Sequence, residues 1–531
     1  MRESGRNGKL VVAPPEALDS DYDIVVVGSG IGGLTSALYL AKAGMKVLVL
    51  EKHHTAGGYC SSFRKKGYYF DAAAHMLSSC RPAGQLGRLL ADHDLTRRIE
   101  FIRCDPSDVM VTKQSEVFIR TNYQDLLEEF QRHFPKEAGG IHGLMEYMYK
   151  TDPVRLYSDL KDKSFSDVLD SYVQSTELKS LLSMQLGNLG LPSTLASAVT
   201  CVFLYREFIF DGGYYPKGGI QAFPDILVQR IREYGGTVAF LSPVVGIGSK
   251  AGKVTRVSIK IGGRETVEVR APRVIMNGDP MQFYEKLLDE PNALNGTVRG
   301  QLCKLKPSIS SIMVHLGVVH NIKEVAKYKC NVWSFKGAHV DEYYAALCQG
   351  NVALDKDFLF FSVPSFHDPT LLEGGKHSIQ CIIGAPYLPR SYWDQEGLKD
   401  RIANKLIQMV EEFIPGVSKW IEVCSVATPP TLIKYTSNYM GAMYGWASSR
   451  EQLGKYDAIS EGLGEAGVYF VGHWAGLPTG TNGVATVVAS GRSVARRILR
   501  SQYRRPPGEL ISEGRPSSGS NSGSKDLSNR S

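Results

Sequence analysis

Long apolar runs are missing from this 531-residue chain, and that excludes a bundle of membrane spans, each of which needs about 20 predominantly apolar residues. The nearest approach, from Ser180 to Tyr205, carries no charge and no histidine over 26 positions, yet Gln185, Gly187, Asn188, Gly190, Pro192, Ser193 and Thr194 interrupt it. Two short helices around a Gly/Pro turn are expected there, lining an apolar cavity, touching a bilayer surface or buried in a core. Met1 to Ser20 hold no apolar run of signal-peptide length, so secretion by that route is not expected. Cysteines number nine, are scattered and never form CxxC, which argues against a disulfide framework and for a reducing compartment. A cytoplasmic chain follows, free to make peripheral contact with a membrane without spanning it.

Charge is also scarce where it would matter. The net charge is +7, but from Arg496 onward eight Lys or Arg face three acids, leaving the body nearly neutral and without a nucleic-acid footprint. There is no P-loop, no HExxH, no cluster with metal-ligand spacing and no long internal repeat, so no metal site is expected.

What the chain does contain is concentrated between Asp23 and Gly58. Asp23 to Val27 is a short β-branched run of the kind buried on both faces of a sheet. Gly28, Gly30 and Gly33 follow in GxGxxG spacing, with Ser29, Ile31 and Gly32 between them. The first glycine permits a sharp turn, the second a close diphosphate, the third close packing of the coming helix. Leu34, Ala37, Leu38 and Ala41 give that helix its buried face, and its N-terminal amides point at the turn. Lys46 to Leu50 is a second strand, ended by Glu51, whose carboxylate suits ribose hydroxyls and repels a 2′-phosphate; Lys52 comes next. These demands met together predict a dinucleotide site. Gly57 and Gly58, with a second glycine-rich segment near the other end of the chain, favour FAD over NAD.

Other residues narrow the reading. Tyr68-Tyr69-Phe70-Asp71 with His75, Tyr215-Pro216-Lys217-Gly218-Gly219, and Gly472-His473-Trp474 running to Gly491 resemble the phytoene desaturases, carotenoid isomerases and retinol saturases of the flavin amine oxidase-like superfamily, over about residues 20 to 500. The resemblance implies an α/β chain: a Rossmann-type FAD-binding domain from 21–80, 212–283 and 460–500, interleaved with an α+β substrate-binding domain from 81–211 and 284–459. Residues 1–20 read as a flexible leader and 501–531 as a disordered basic Ser/Gly tail.

It further implies that Val244 or Val245 meets the adenine through backbone, and that Gly472, His473, Thr481, Asn482, Gly483 and Val484 lie on the flavin side. His473 stands where relatives commonly carry a small or acidic residue. Tyr435, Tyr439 and Tyr444, with His473 and Trp474, are the polar-tipped candidates for orienting a substrate or moving a proton. His75 reads more simply as a histidine satisfied by backbone, and His53-His54 as a solvated loop pair. The implied activity is desaturation, saturation or isomerisation of a lipophilic polyene. Alternatives are a flavin oxidoreductase acting on an amine, alcohol or polyketide-like product, and a prenyl binder like the Rab GDP-dissociation inhibitors; the intact glycine turn and Glu51 weigh against the binder.

Overall fold

In a computed structural model, residues 18–263, 265–289, 296–456, 461–475 and 483–503 are described, so most of the expected leader and tail, with Thr481 and Asn482, fall outside. Elements used below are β1 (Ile24–Val27), α1 (Ile31–Lys42), β2 (Val47–Leu50), β3 (Asp108–Val111), β4 (Glu116–Ile119), α2 (Ala198–Leu204), β5 (Thr237–Ala239), β6 (Val274–Met276), β7 (Ser310–Val318), β8 (Asn331–Phe335), β9 (Phe358–Ser362), β10 (His377–Ala385), β11 (Ile421–Ala427), β12 (Val468–Phe470) and α3 (Val484–Tyr503).

A parallel sheet in the order β12-β6-β1-β2-β5 forms around the glycine-rich stretch. Both faces of its central strands are covered, as the unbroken apolar runs predict. Ile24, Val26, Val47 and Val49 pack with Leu34 and Leu38 of α1, while Val25, Leu48 and Leu50 pack with Phe283 and Tyr284 on the other face. Chain neighbours diverge to opposite sides of β1, which opens a crevice at its carboxyl end. Helices α1 and α3 cross where neither carries a side chain. A Cβ on Gly491 would lie 2.5 Å from the Gly32 carbonyl, and Ser36 Oγ donates to the Gly491 carbonyl at 3.1 Å.

A second sheet runs β11-β7-β10-β9-β8-β3-β4. Strand β3 pairs antiparallel with β4 and parallel to β8, and so carries residues 108–119 into the large sheet. Period-two alternation gives the sheet two characters. Ser311, Met313 and His315 of β7, Trp333, Phe360 and Ile382 face a cavity, whereas Ile312, Val314, Leu316, Leu359 and Cys381 enter the core. That core is closed by the helix Leu398–Glu411, whose Leu398, Ile402, Leu406 and Val410 recur at one face.

From Ser180 to Tyr205 the chain forms the end of the helix Thr176–Met184, a 3₁₀ turn at Gln185–Asn188, and α2. The Gly/Pro turn is where it was expected. Most of the segment is core, while Gly187, Asn188, Leu189, Phe203 and Leu204 line the cavity. Among the described residues no helix is long and apolar enough to cross a membrane.

Candidate active site

The crevice at β1 and the cavity under the large sheet are one space of about 870 Å³. Its narrow end is built from the glycine turn. Gly28 adopts φ +95 and turns the chain out of β1; Gly57 and Gly58, at φ +115 and +60, bring a second turn against it, with Gly57 N–H on the Ser29 carbonyl at 2.9 Å. Asn277, at the end of β6, fills the space these glycines leave. A Cβ on Gly30 would sit 2.3 Å from its Nδ2, and its Oδ1 accepts the Gly33 N–H at 3.0 Å. Gly33 also lies so close under the turn that a Cβ would be 2.4 Å from the Gly28 carbonyl.

Glu51 is held with little freedom. One oxygen accepts from Ser29 N–H at 2.9 Å and Ser29 Oγ at 2.6 Å, the other from His53 N–H at 2.9 Å. A carboxylate has about four acceptor sites, so lone pairs remain for hydroxyls in the groove it lines. Burial depresses the Lys52 ammonium, with the Glu51 charge partly offsetting it, and its Nζ donates to Ser437 Oγ at 2.5 Å. Asp279 caps its own turn through Met281 N–H and also accepts from Tyr439 N–H at 2.5 Å; burial pushes its carboxyl up to about 6.

The structure sorts the expected site residues plainly. Gly28, Gly30, Ile31, Glu51, Lys52, Gly57, Gly58, Val244, Gly472, His473, Gly483 and Val484 all line this space, as do Tyr435, Tyr444 and Trp474. Ser29, Gly32 and Gly33 stand behind its wall: Ser29 fixes Glu51, Gly33 meets Asn277, and a Cβ on Gly32 would be 2.7 Å from Gly472 N. Val245 is not in the lining and turns outward, 43% exposed. Tyr439 is also absent from the lining. Tyr435 is at the Glu51 end, half-exposed and stacked on His53 at 5.7 Å, so the His53-His54 pair is part of the groove rather than a free loop.

Tyr444 does reach the apolar part, but its hydroxyl donates to the Gly187 carbonyl at 2.7 Å. His473 faces the cavity with its ring 5.7 Å from that of Tyr59; shielded from outer solvent, its pKa falls to about 4, so it is neutral near pH 7. His75 likewise lies against Phe360, ring centroids 4.3 Å apart, with Nε2 unbonded; burial takes its pKa down to about 3. Tyr59 and Asn438 were not singled out from sequence. Tyr59 donates to the Ala442 carbonyl, and Asn438 accepts from Trp474 Nε1 at 2.9 Å, locking that indole in place. Position directly after Gly57-Gly58 was the available signal for Tyr59; Asn438 gave none. Among the described residues no cluster of His, Cys, Asp or Glu suits a metal ion.

A parallel sheet with its glycine turn, a fixed carboxylate acceptor and an attached apolar chamber define a nucleotide-cofactor oxidoreductase. The family profile described as flavin containing amine oxidoreductase matches residues 31–499, and the chain belongs to that family; its cofactor is FAD. It is 28% identical over 488 residues to the all-trans-retinol 13,14-reductase of Danio rerio, covering 83% of this chain and 79% of that protein. It is also 28% identical over 508 residues to the zeta-carotene-forming phytoene desaturase of Myxococcus xanthus, covering 90% and 93%. An oxidoreductase of Methanosarcina mazei shares the fold at TM-score 0.61 and 20% identity, over 89% of this chain and 99% of that one.

Proposed function

We propose that this flavoenzyme acts on carbon–carbon bonds of a lipophilic isoprenoid polyene, by saturation, desaturation or isomerisation. The observation that carries the reading is continuity: the groove at Glu51 and the chamber walled by Phe203, Trp333 and Phe360 are one space, so a flavin held by the first would meet a hydrocarbon held by the second. The retinol reductase and phytoene desaturase among its relatives support the same substrate class.

Several roles follow for the chain's own residues. Gly28, Gly30, Ile31, Gly57 and Gly58 would flank the diphosphate, Glu51 the ribose hydroxyls, Val244 the adenine, and Gly472, His473, Gly483 and Val484 the isoalloxazine end. Bound FAD would supply a hydride donor or acceptor. The protein's share is then alignment and exclusion of water. Neutral His473 and a Tyr444 hydroxyl already committed to Gly187 make poor proton donors, so positioning is the larger contribution. With this reading goes the division into a cofactor domain (21–80, 212–283, 460–500) and a substrate domain (81–211, 284–459), and peripheral contact with a membrane from which the substrate is drawn.

Purified FAD-loaded protein, oxidised or reduced under argon, would be incubated with all-trans-retinol and with phytoene. Gain or loss of a hydrogen pair, or a new geometric isomer, is the expected product by mass spectrometry and chromatography. Oxidation of amines with both polyenes left untouched would overturn the proposal.

A further inference from the structure

The chamber wall formed by Phe203, Leu204, Phe208 and Phe360 is interrupted by a carboxylate, Glu207. Its placement is built by two local departures from regular structure. After α2 the chain widens into a π-turn, Tyr205–Ile209, closed by Phe210 N–H on the Tyr205 carbonyl at 2.8 Å. Single π-turns of this kind re-aim side chains and recur at functional sites. Tyr205 is tied to the Leu182 carbonyl at 2.6 Å and Arg206 to the Thr151 carbonyl at 2.8 Å, while Glu207 and Phe208 are turned to the chamber.

The second departure is the turn that meets Glu207. Ser79 adopts φ +61, an uncommon conformation for a residue with a side chain. Its Oγ accepts the Gln85 N–H at 2.7 Å, which directs its own proton to Glu207 Oε2 at 2.5 Å. Arg81 Nη2 donates to Oε1 at 2.9 Å and Arg81 also pairs with Asp211 at 3.3 Å. Two glycines make this turn possible: a Cβ on Gly84 would lie 2.2 Å from the Ser79 carbonyl, and one on Gly87 2.0 Å from that of Arg81. Arg81 does not line the chamber and its side chain is 38% exposed, whereas its partner Glu207 does line it, so the pair marks a rim between chamber and solvent.

Each oxygen of Glu207 has one donor from the protein and keeps acceptor capacity. We propose that Glu207 is a specificity-determining residue that accepts a hydrogen bond from a hydroxyl at one end of the substrate, so that the polyene taken is an alcohol. An aldehyde brings only an acceptor, an acid brings a like charge, and a hydrocarbon covers the carboxylate without pairing it, at the full cost of desolvation. The inference rests on the polyene reading above.

Binding of all-trans-retinol, all-trans-retinal and all-trans-retinoic acid to the FAD-loaded protein would be measured by equilibrium dialysis. The wild type is expected to hold the alcohol roughly tenfold more tightly than either of the others, since hydrogen bonds to charged groups carry about that much. Glu207→Gln, which keeps the shape and a partner for Ser79, should bring the three within about twofold and raise KM for the alcohol with kcat little changed. Equal affinities in the wild type would overturn the assignment. So would a Glu207→Gln variant weakened for all three in proportion, the signature of a clamp on the π-turn. Failure of all three to bind while FAD is in place would overturn the polyene reading itself, and this assignment with it.

Discussion

At Gly30 the side chain is absent because Asn277 occupies its place, 2.3 Å from where a Cβ would be. Glycine spacing was legible in the sequence; its partner was not, since Asn277-Gly278-Asp279-Pro280 reads as a turn and its contact with the glycines spans 244 positions. Gly30→Val should therefore purify colourless, because its side chain would displace Asn277 and block the diphosphate proposed for this turn. A full complement of FAD in its absorption spectrum would show that this turn is not the diphosphate site. Tyr444 tests the other end. Tyr444→Phe gives up one hydrogen bond, to the Gly187 carbonyl, about 1 kcal/mol of stability, and activity should weaken without vanishing. His473→Ala should behave alike. A loss beyond about a thousandfold in turnover, with FAD and melting temperature retained, would make that residue a proton-transfer group instead, since general acid or base loss costs roughly 10² to 10⁴.

Among the elements, legibility followed pattern length. β1, α1 and β2 carry strong local signals and stand where the sequence predicts. The strand Asp108–Val111 is too short at four residues for a periodicity to count, and it is fixed by pairing with residues 116–119 and 331–334. Helix Leu398–Glu411 was legible and overlooked: its apolar residues recur every four positions. The segment around α2 bears a prediction at this scale. Its apolar residues are mainly spent on core and chamber, with Leu195 exposed, so little is left to insert in a bilayer. Membranes from cells making this protein should release it in high salt or alkaline carbonate. Retention until detergent is added would mean that the surface around residues 180–205 inserts.

Across the whole molecule, burial of neutral imidazoles sets the response to acid. His75 is held at about 3, and His93, His315, His367, His377 and His473 at about 4, each chiefly by desolvation. Unfolded histidine titrates near 6.5, so below that pH the unfolded chain binds more protons and stability falls as pH drops from about 6.5 towards 4. Asp71 and Asp279, raised to about 6 by burial, and Asp108, Asp211 and Asp225, which burial also raises, act oppositely, since the folded state then holds protons that the unfolded state has lost. The six imidazoles outweigh these five carboxyls. The melting temperature of the holoprotein should fall with increasing steepness from pH 6.5 to 5; a flat profile over that interval would contradict the burial of these rings.

The parallel sheet takes its central strand from residues 24–27 and its edge strand from residues 468–470, and α3 must then lie glycine to glycine across α1. During synthesis the first strands leave the ribosome hundreds of residues before the pieces that finish their layer, a separation that slows folding and exposes unpaired edges. A nascent chain halted anywhere before α3 would have its glycine turn and Glu51 yet no helix to close over them, and so would depend on chaperones through almost the whole of its translation. Early stop codons should thus yield aggregated or degraded protein, not a shortened flavoprotein with reduced affinity.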